Sequence, residues 1–107
     1  MPPSPDDVEV RANPEELRYE AWVEGRLAGS AFYTEHGDRL AFTHTEVDPQ
    51  FEGRGVGSAL ARGALTDARN TGRKVVPLCP FIASYIGRHP EFTDVVPSES
   101  RHRIRTT

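Results

Sequence analysis

The sequence predicts an α/β domain on a mixed sheet, and three observations predict it. Residues 8–47 alternate apolar and polar side chains in stretches separated by turn residues. From Val56 to Asn70 the apolar period changes from two to about 3.6 residues. A short apolar run then returns at Lys74–Cys79. An antiparallel meander, a helix and a parallel strand account for that order.

Met1–Asp7 holds three prolines and two aspartates and is expected to be a flexible leader. Val8–Arg11 forms a short edge strand, ended by Asn13-Pro14. In Leu17–Glu24, residues Leu17, Tyr19, Ala21 and Val23 share one face, and Arg18, Glu20, Trp22 and Glu24 the other. Gly25-Arg26 turns the chain, and Leu27–Thr34 supplies the second arm of a hairpin. His36-Gly37-Asp38 is a further turn. Leu40–Val47 is a third strand, closed by Asp48-Pro49, with His44 on the face of Leu40, Phe42 and Glu46.

Val56, Leu60, Ala61, Ala64, Leu65 and Ala68 mark one buried helix face, and Gly72 follows as a C-terminal cap. Gly63 lies on that face, where glycine costs roughly 1 kcal/mol of helix stability; it is either a neutral accident or a sign of close helix–sheet packing. Val75-Val76-Pro77-Leu78 is the parallel strand. Pro77 has no N–H, so the ladder ends or a splay begins there. Pro80–Arg88 forms a short C-terminal helix with Ile82, Tyr85 and Ile86 aligned. Phe92–Val96 is expected as a last short strand, and Ser98–Thr107 as a frayed polar tail with three arginines. A single domain over residues 8–97 results, as suits a chain of 107 residues.

Composition removes several classes. The net charge is −3 and the pI about 5.8, which argues against a nucleic-acid partner. Twelve of the thirteen basic residues are arginine, a trait of composition rather than of mechanism. The lone Cys79 excludes an internal disulfide. His36, His44, His89 and His102 lack metal-ligand spacing, so no metal is expected. No apolar run approaches about 18 residues and no charged-then-apolar leader opens the chain. No membrane partner is expected, and the cytoplasm is the default location.

The segment Phe51-Glu52-Gly53-Arg54-Gly55-Val56-Gly57 lies between a strand and a helix. Glycines there let backbone N–H groups converge, and the helix start adds partial positive charge. A pyrophosphate fits such a turn, and Arg54 or Arg62 can reach a phosphate oxygen. A phosphate loop of the nucleoside-triphosphate kind would need Gly-Lys-Ser/Thr, and no lysine is here. A dinucleotide fingerprint would need G-x-G-x-x-G on the first strand of a parallel sheet, whereas this run is G-x-G-x-G after a meander.

The segment Asp48-Pro49-x-Phe51-x-Gly53-Arg54-Gly55-Val56-Gly57-x-Ala59-Leu60 resembles the coenzyme A turn of the GNAT superfamily of N-acetyltransferases, whose pattern is R/Q-x-x-G-x-G/A. Glu52 stands where that pattern has Arg or Gln, which places a carboxylate near the pyrophosphate. Ala83-Ser84-Tyr85-Ile86-Gly87-Arg88-His89-Pro90-Glu91-Phe92 resembles the superfamily's later tyrosine-bearing helix. His44-Thr45, Pro77-Leu78-Cys79-Pro80 and His89-Pro90-Glu91-Phe92 together look like a minimal acetyltransferase subfamily, over about residues 15 to 96.

The resemblance implies a GNAT-like acyl-CoA N-acyltransferase fold in a minimal version. It implies acetyl-CoA as cosubstrate, held by Gly53, Arg54, Gly55, Val56, Gly57 and Ser58, with the Val47 backbone polarising the thioester carbonyl. Tyr85 matches the general acid. Cys79 ends the strand after the coenzyme helix, where it can protonate the leaving thiolate or accept the acyl group; the competing reading is a small buried hydrophobe. His44 suits a general base, with Glu46 its rival. Trp22, Tyr19, Phe32 and Tyr33 are strand or core residues that can also line an acceptor groove. The acceptor would be a primary amine of a small molecule or protein, and the chain a monomer or weak homodimer. Relatives of full size cover the acceptor side with early helices, which this chain lacks, so that side should be open. The rival function is a non-catalytic coenzyme A sensor or interaction module.

Overall fold

The computed structural model describes residues 7–105, so the expected leader falls outside the described residues except for Asp7. The chain runs β1 (Glu9–Asn13), β2 (Arg18–Val23), β3 (Arg26–His36), β4 (Arg39–Val47), α1 (Val56–Asn70), β5 (Lys74–Pro77) and α2 (Pro80–Arg88). Single 3₁₀ turns occupy Pro14–Glu16 and Pro49–Phe51, and two longer 3₁₀ segments, Pro90–Val95 and Ser98–Arg103, follow α2. The sheet order is β1-β2-β3-β4-β5, antiparallel through β4, with β5 parallel to β4. The fold is the mixed α/β architecture expected.

Local chemistry sets the turns. Val23 pairs with Arg26, leaving Glu24 and Gly25 as a two-residue loop with φ of 51° and 76°. Positive φ at both positions matches the twist of the flanking strands. Asn13 caps the first 3₁₀ turn by accepting from Glu16 N, and Leu17 at φ 52° sends the chain back into β2.

One face of the sheet carries the core. Tyr19, Ala21, Ala31, Tyr33, Leu40, Phe42 and Val75 are buried, and α1 buries the whole stripe from Val56 to Ala68. Tyr19 Oη donates to Asp67 Oδ2 on α1 at 2.7 Å. Burial, reinforced by that carboxylate, pushes the Tyr19 phenol well up, so it stays a donor. Of the two readings of Gly63, the structure favours close packing: a Cβ there would come within 2.7 Å of Val10 Cβ on β1.

Two bulges interrupt the alternation. Ala28 is the extra residue between the β2–β3 pairs Ala21↔Gly29 and Trp22↔Leu27. Thr43 is the extra residue between Phe32↔His44 and Tyr33↔Phe42. The second bulge corrects the expected placement of His44 with Leu40 and Phe42. Those two are fully buried, whereas His44 and Glu46 are exposed.

Two further expectations fail. Phe92–Val96 is not a strand: Pro90–Val95 winds as a 3₁₀ segment, because Phe92 and Val95 both enter the core at three-residue spacing. Residues 98–105 are not frayed. Ser98–Arg103 is helical with Ser100 buried, Glu99 pairs with Arg39 at 2.6 Å, and Arg101 Nε donates to Val96 O. Ile104 packs on the core and Arg105 N donates to Ala83 O. Composition hid this, since Ile104 is the segment's one apolar side chain. Among the described residues, no helix is long and apolar enough to cross a membrane.

Gly63→Ala should lower stability by roughly 1–3 kcal/mol, the clash with Val10 Cβ outweighing alanine's better helix propensity. Urea denaturation measures this; equal or higher stability would show that β1 yields.

Candidate functional site

The site begins where the sheet opens. β4 and β5 pair only from Arg39↔Lys74 to Phe42↔Pro77. Pro77 has no N–H to continue the ladder. The last tie is Cys79 N donating to Phe42 O at 2.7 Å, after which Pro80 starts α2. Thr43–Val47 of β4 therefore runs on without a β5 partner. One side-chain contact bridges the gap, between Thr45 Oγ1 and Cys79 Sγ at 3.3 Å. The Cys79 thiol is buried.

The glycine turn lies at the end of that unpaired half-strand. Asp48 N donates to Ala28 O, and the Asp48 carboxylate accepts from Gln50 N at 2.9 Å. Phe51 is buried and anchors the turn. Gly53 and Gly55 stand at φ 78° and 76°, in the left-handed region that glycine tolerates. Gly55 is the N-cap of α1 and supplies no side-chain acceptor. The first N–H groups of α1, at Val56, Gly57 and Ser58, therefore receive no side-chain cap from the N-cap residue. At Gly57 a Cβ would meet the Phe81 ring of α2 at 2.8 Å. Backbone donors, open space beside Gly53 and Gly55, and partial positive charge fit a pyrophosphate. Glu52 is exposed and extended at the edge of the turn. Arg54 lies over the Phe51 ring at 5.2 Å.

The other predicted side chains are distributed unevenly around this opening. Val47 is half-buried at the end of β4 and lines a groove of about 560 Å³ with Gly29, Ser30, Glu46 and Asp48. His44 Nε2 and Glu46 Oε1 lie 3.1 Å apart, and the His44 ring stacks on Phe32. Tyr85 is fully buried, with ring neighbours His89 at 4.1 Å and Phe92 at 6.2 Å. The Arg62 guanidinium is held more firmly protonated than usual, first by Tyr85 and also by Glu91. Cys79 and Tyr85 thus belong to different contact environments, Cys79 with β4 and Tyr85 with α1 and the following 3₁₀ segment.

Of the aromatic residues considered for an acceptor groove, Tyr19 and Tyr33 pack with Phe42 in the core. Trp22 and Phe32 are half-buried, under Arg11 and Arg18 respectively. Between them Glu20 accepts from Asn13, Arg18 and Trp22, and the Asn13 bond leads in holding its carboxyl below the usual range. No α-helix precedes α1 among the described residues, so none of their helices covers this face. Sequence reasoning missed Thr45, Arg26 and Phe81 as neighbours of the site. The His44-Thr45 dipeptide was a signal for the first; nothing local marked the other two.

A family model described as GCN5-related N-acetyl-transferase matches residues 18–95. Among solved structures, the NMR structure of a GCN5-like protein from Staphylococcus aureus aligns with a TM-score of 0.64 at 20% identity. That alignment covers 85% of this chain and 89% of that one, a likeness of fold. No curated protein matches the chain.

Gly55→Ala should destabilise the unliganded protein by about 1–2 kcal/mol through its left-handed backbone alone, since nothing lies within 4 Å of the added Cβ. An unchanged denaturation midpoint would mean that the turn relaxes into another conformation.

Proposed function

The chain belongs to the GCN5-related N-acetyltransferase family and is an acetyltransferase of that type; on that premise we propose that it moves an acetyl group from acetyl-coenzyme A directly to a primary amine of a small molecule or a protein. One observation carries the reading: an α1 N-terminus without a side-chain cap, behind left-handed Gly53 and Gly55, at the end of a half-strand that β5 has left.

Bound acetyl-coenzyme A supplies the activated acyl group. The N–H groups of Val56, Gly57 and Ser58 receive pyrophosphate oxygens, with Arg54 beside them. The Val47 main chain, at the mouth of the groove, orients the thioester carbonyl. Glu46 and Asp48 give that groove acidic walls, which favours a cationic amine. The hydrogen-bonded His44–Glu46 pair takes the amine's proton, so that nitrogen attacks in its neutral form. Cys79 Sγ, held by Thr45 Oγ1 at the bottom of the opening, donates the proton that the departing thiolate needs. Tyr85 is the second donor considered, and its packing with His89 and Phe92 makes it the more enclosed of the two.

Coenzyme A at 100 times its dissociation constant should stabilise the protein by about 2.7 kcal/mol in a thermal-shift assay. Cys79→Ala should leave that shift in place and lower turnover by roughly 10²–10⁴-fold. Turnover within a few-fold of wild type would remove Cys79 as donor and as acyl acceptor. A coenzyme shift without turnover on any amine would establish a binding module instead, and no shift would remove both readings.

A further inference from the structure

The glycine turn contains one acid, Glu52, and one base, Arg54. The fold brings a second base to the Phe51 ring. Arg26, at the start of β3, lies over the Phe51 ring at 5.2 Å, the same distance as Arg54. Phe51 is buried, so its ring is a fixed plate against which both guanidinium groups rest. Arg26 is also anchored to Gln50 Oε1 in the 3₁₀ turn. No carboxylate lies within ion-pair distance of either arginine among the described residues. Five other arginines, Arg11, Arg18, Arg39, Arg62 and Arg69, each face one, and what sets Arg26 and Arg54 apart from the rest is their shared seat on Phe51.

Coenzyme A brings two kinds of phosphate: a pyrophosphate and a terminal 3′-phosphomonoester. Backbone N–H groups at a helix start suit the first. The second carries about 1.5 to 2 negative charges at neutral pH and calls for guanidinium partners rather than backbone dipoles. The turn's own carboxylate, Glu52, opposes it. Positive charge is available around Phe51, where Arg26 and Arg54 supply two units.

We propose that Arg26 and Arg54, seated on Phe51, bind the 3′-phosphate of the coenzyme and make the protein discriminate coenzyme A from its 3′-dephospho form. The inference rests on the proposal that the protein binds coenzyme A. Arg26 is then a specificity-determining residue that the β2–β3 hairpin contributes from outside the glycine motif.

Isothermal titration of the unliganded protein with coenzyme A and with 3′-dephospho-coenzyme A tests this without any turnover. Wild type should bind coenzyme A about tenfold or more tightly than the dephospho form, as expected for charge-assisted bonds. Arg26→Gln should narrow that gap several-fold and leave dephospho-coenzyme affinity unchanged, and Arg54→Gln should weaken coenzyme A more than the dephospho form. Melting temperatures without ligand check that both variants fold, and the wild-type comparison stands without them. Equal wild-type affinity for the two ligands would overturn the proposal. So would variants that weaken both ligands alike, which would put the arginines on the pyrophosphate. Binding of neither ligand would remove the coenzyme reading itself, whereas binding of both without a gap removes this inference alone.

Discussion

The structure depends on where β4 and β5 part. β5 is only four residues long and ends in Pro77, which has no N–H to give. Cys79 N closes the contact onto Phe42 O, and Phe42 is also the level at which Thr43 bulges from the β3–β4 ladder. Two irregularities thus meet on one rung. The proline frees one edge of β4. The bulge shifts the alternation by one residue, exposing His44 and Glu46 and half-burying Thr45 and Val47. A regular sheet with the same residues would bury His44 beside Phe42, where a polar ring without a partner is unfavourable.

The opening is useful only if the α1 N-terminus stays beside it, and small residues hold it there. Ala61, Ala64 and Ala68 let the helix lie low on the sheet, and Gly63 accommodates Val10. Gly29 does the corresponding work at the site end. A Cβ there would come within 2.8 Å of Glu46 O and 3.3 Å of Val56 Cγ1. Glu46 belongs to the groove and Val56 is the first residue of α1. One missing methyl on β3 therefore fixes how near the anion-binding turn comes to the strand end that would orient an acyl group. Packing and site geometry are the same constraint at that point.

Much of this was legible. The period change at Val56, the Asp48-Pro49 stop and the glycine run located the turn, because each is a local property of backbone or burial. Pro77 announced the splay for the same reason. The bulge at Thr43 was not legible, since an extra residue in a strand leaves the apolar pattern of Leu40 and Phe42 intact and displaces only the residues beyond it. Arg26 near Arg54 was not legible either, because Phe51 brings them together through a hairpin and a turn that share no sequence signal. The segment after Pro90 misled in a different way. Phe92 and Val95 resemble a strand by composition, and only the burial of both on one side shows a 3₁₀ winding.

The last residues shape the far wall of the opening. α2 carries Cys79 at its N-cap and Phe81 in its first turn, and the Phe81 ring lies against Gly57 of α1. α2 is short, and a helix of nine residues has little stability of its own. Its position comes from tertiary contacts: Ile82, Tyr85 and Ile86 in the core, and Arg105 N on Ala83 O from outside. Glu99 on Arg39 and Arg101 on Val96 O tie the same segment to β4 and to the turn before it. The polar stretch after residue 97 thus presses the short helix against the opened sheet. Cys79 can meet Thr45 only while that helix is held in place, so a polar segment supports the position of a buried thiol.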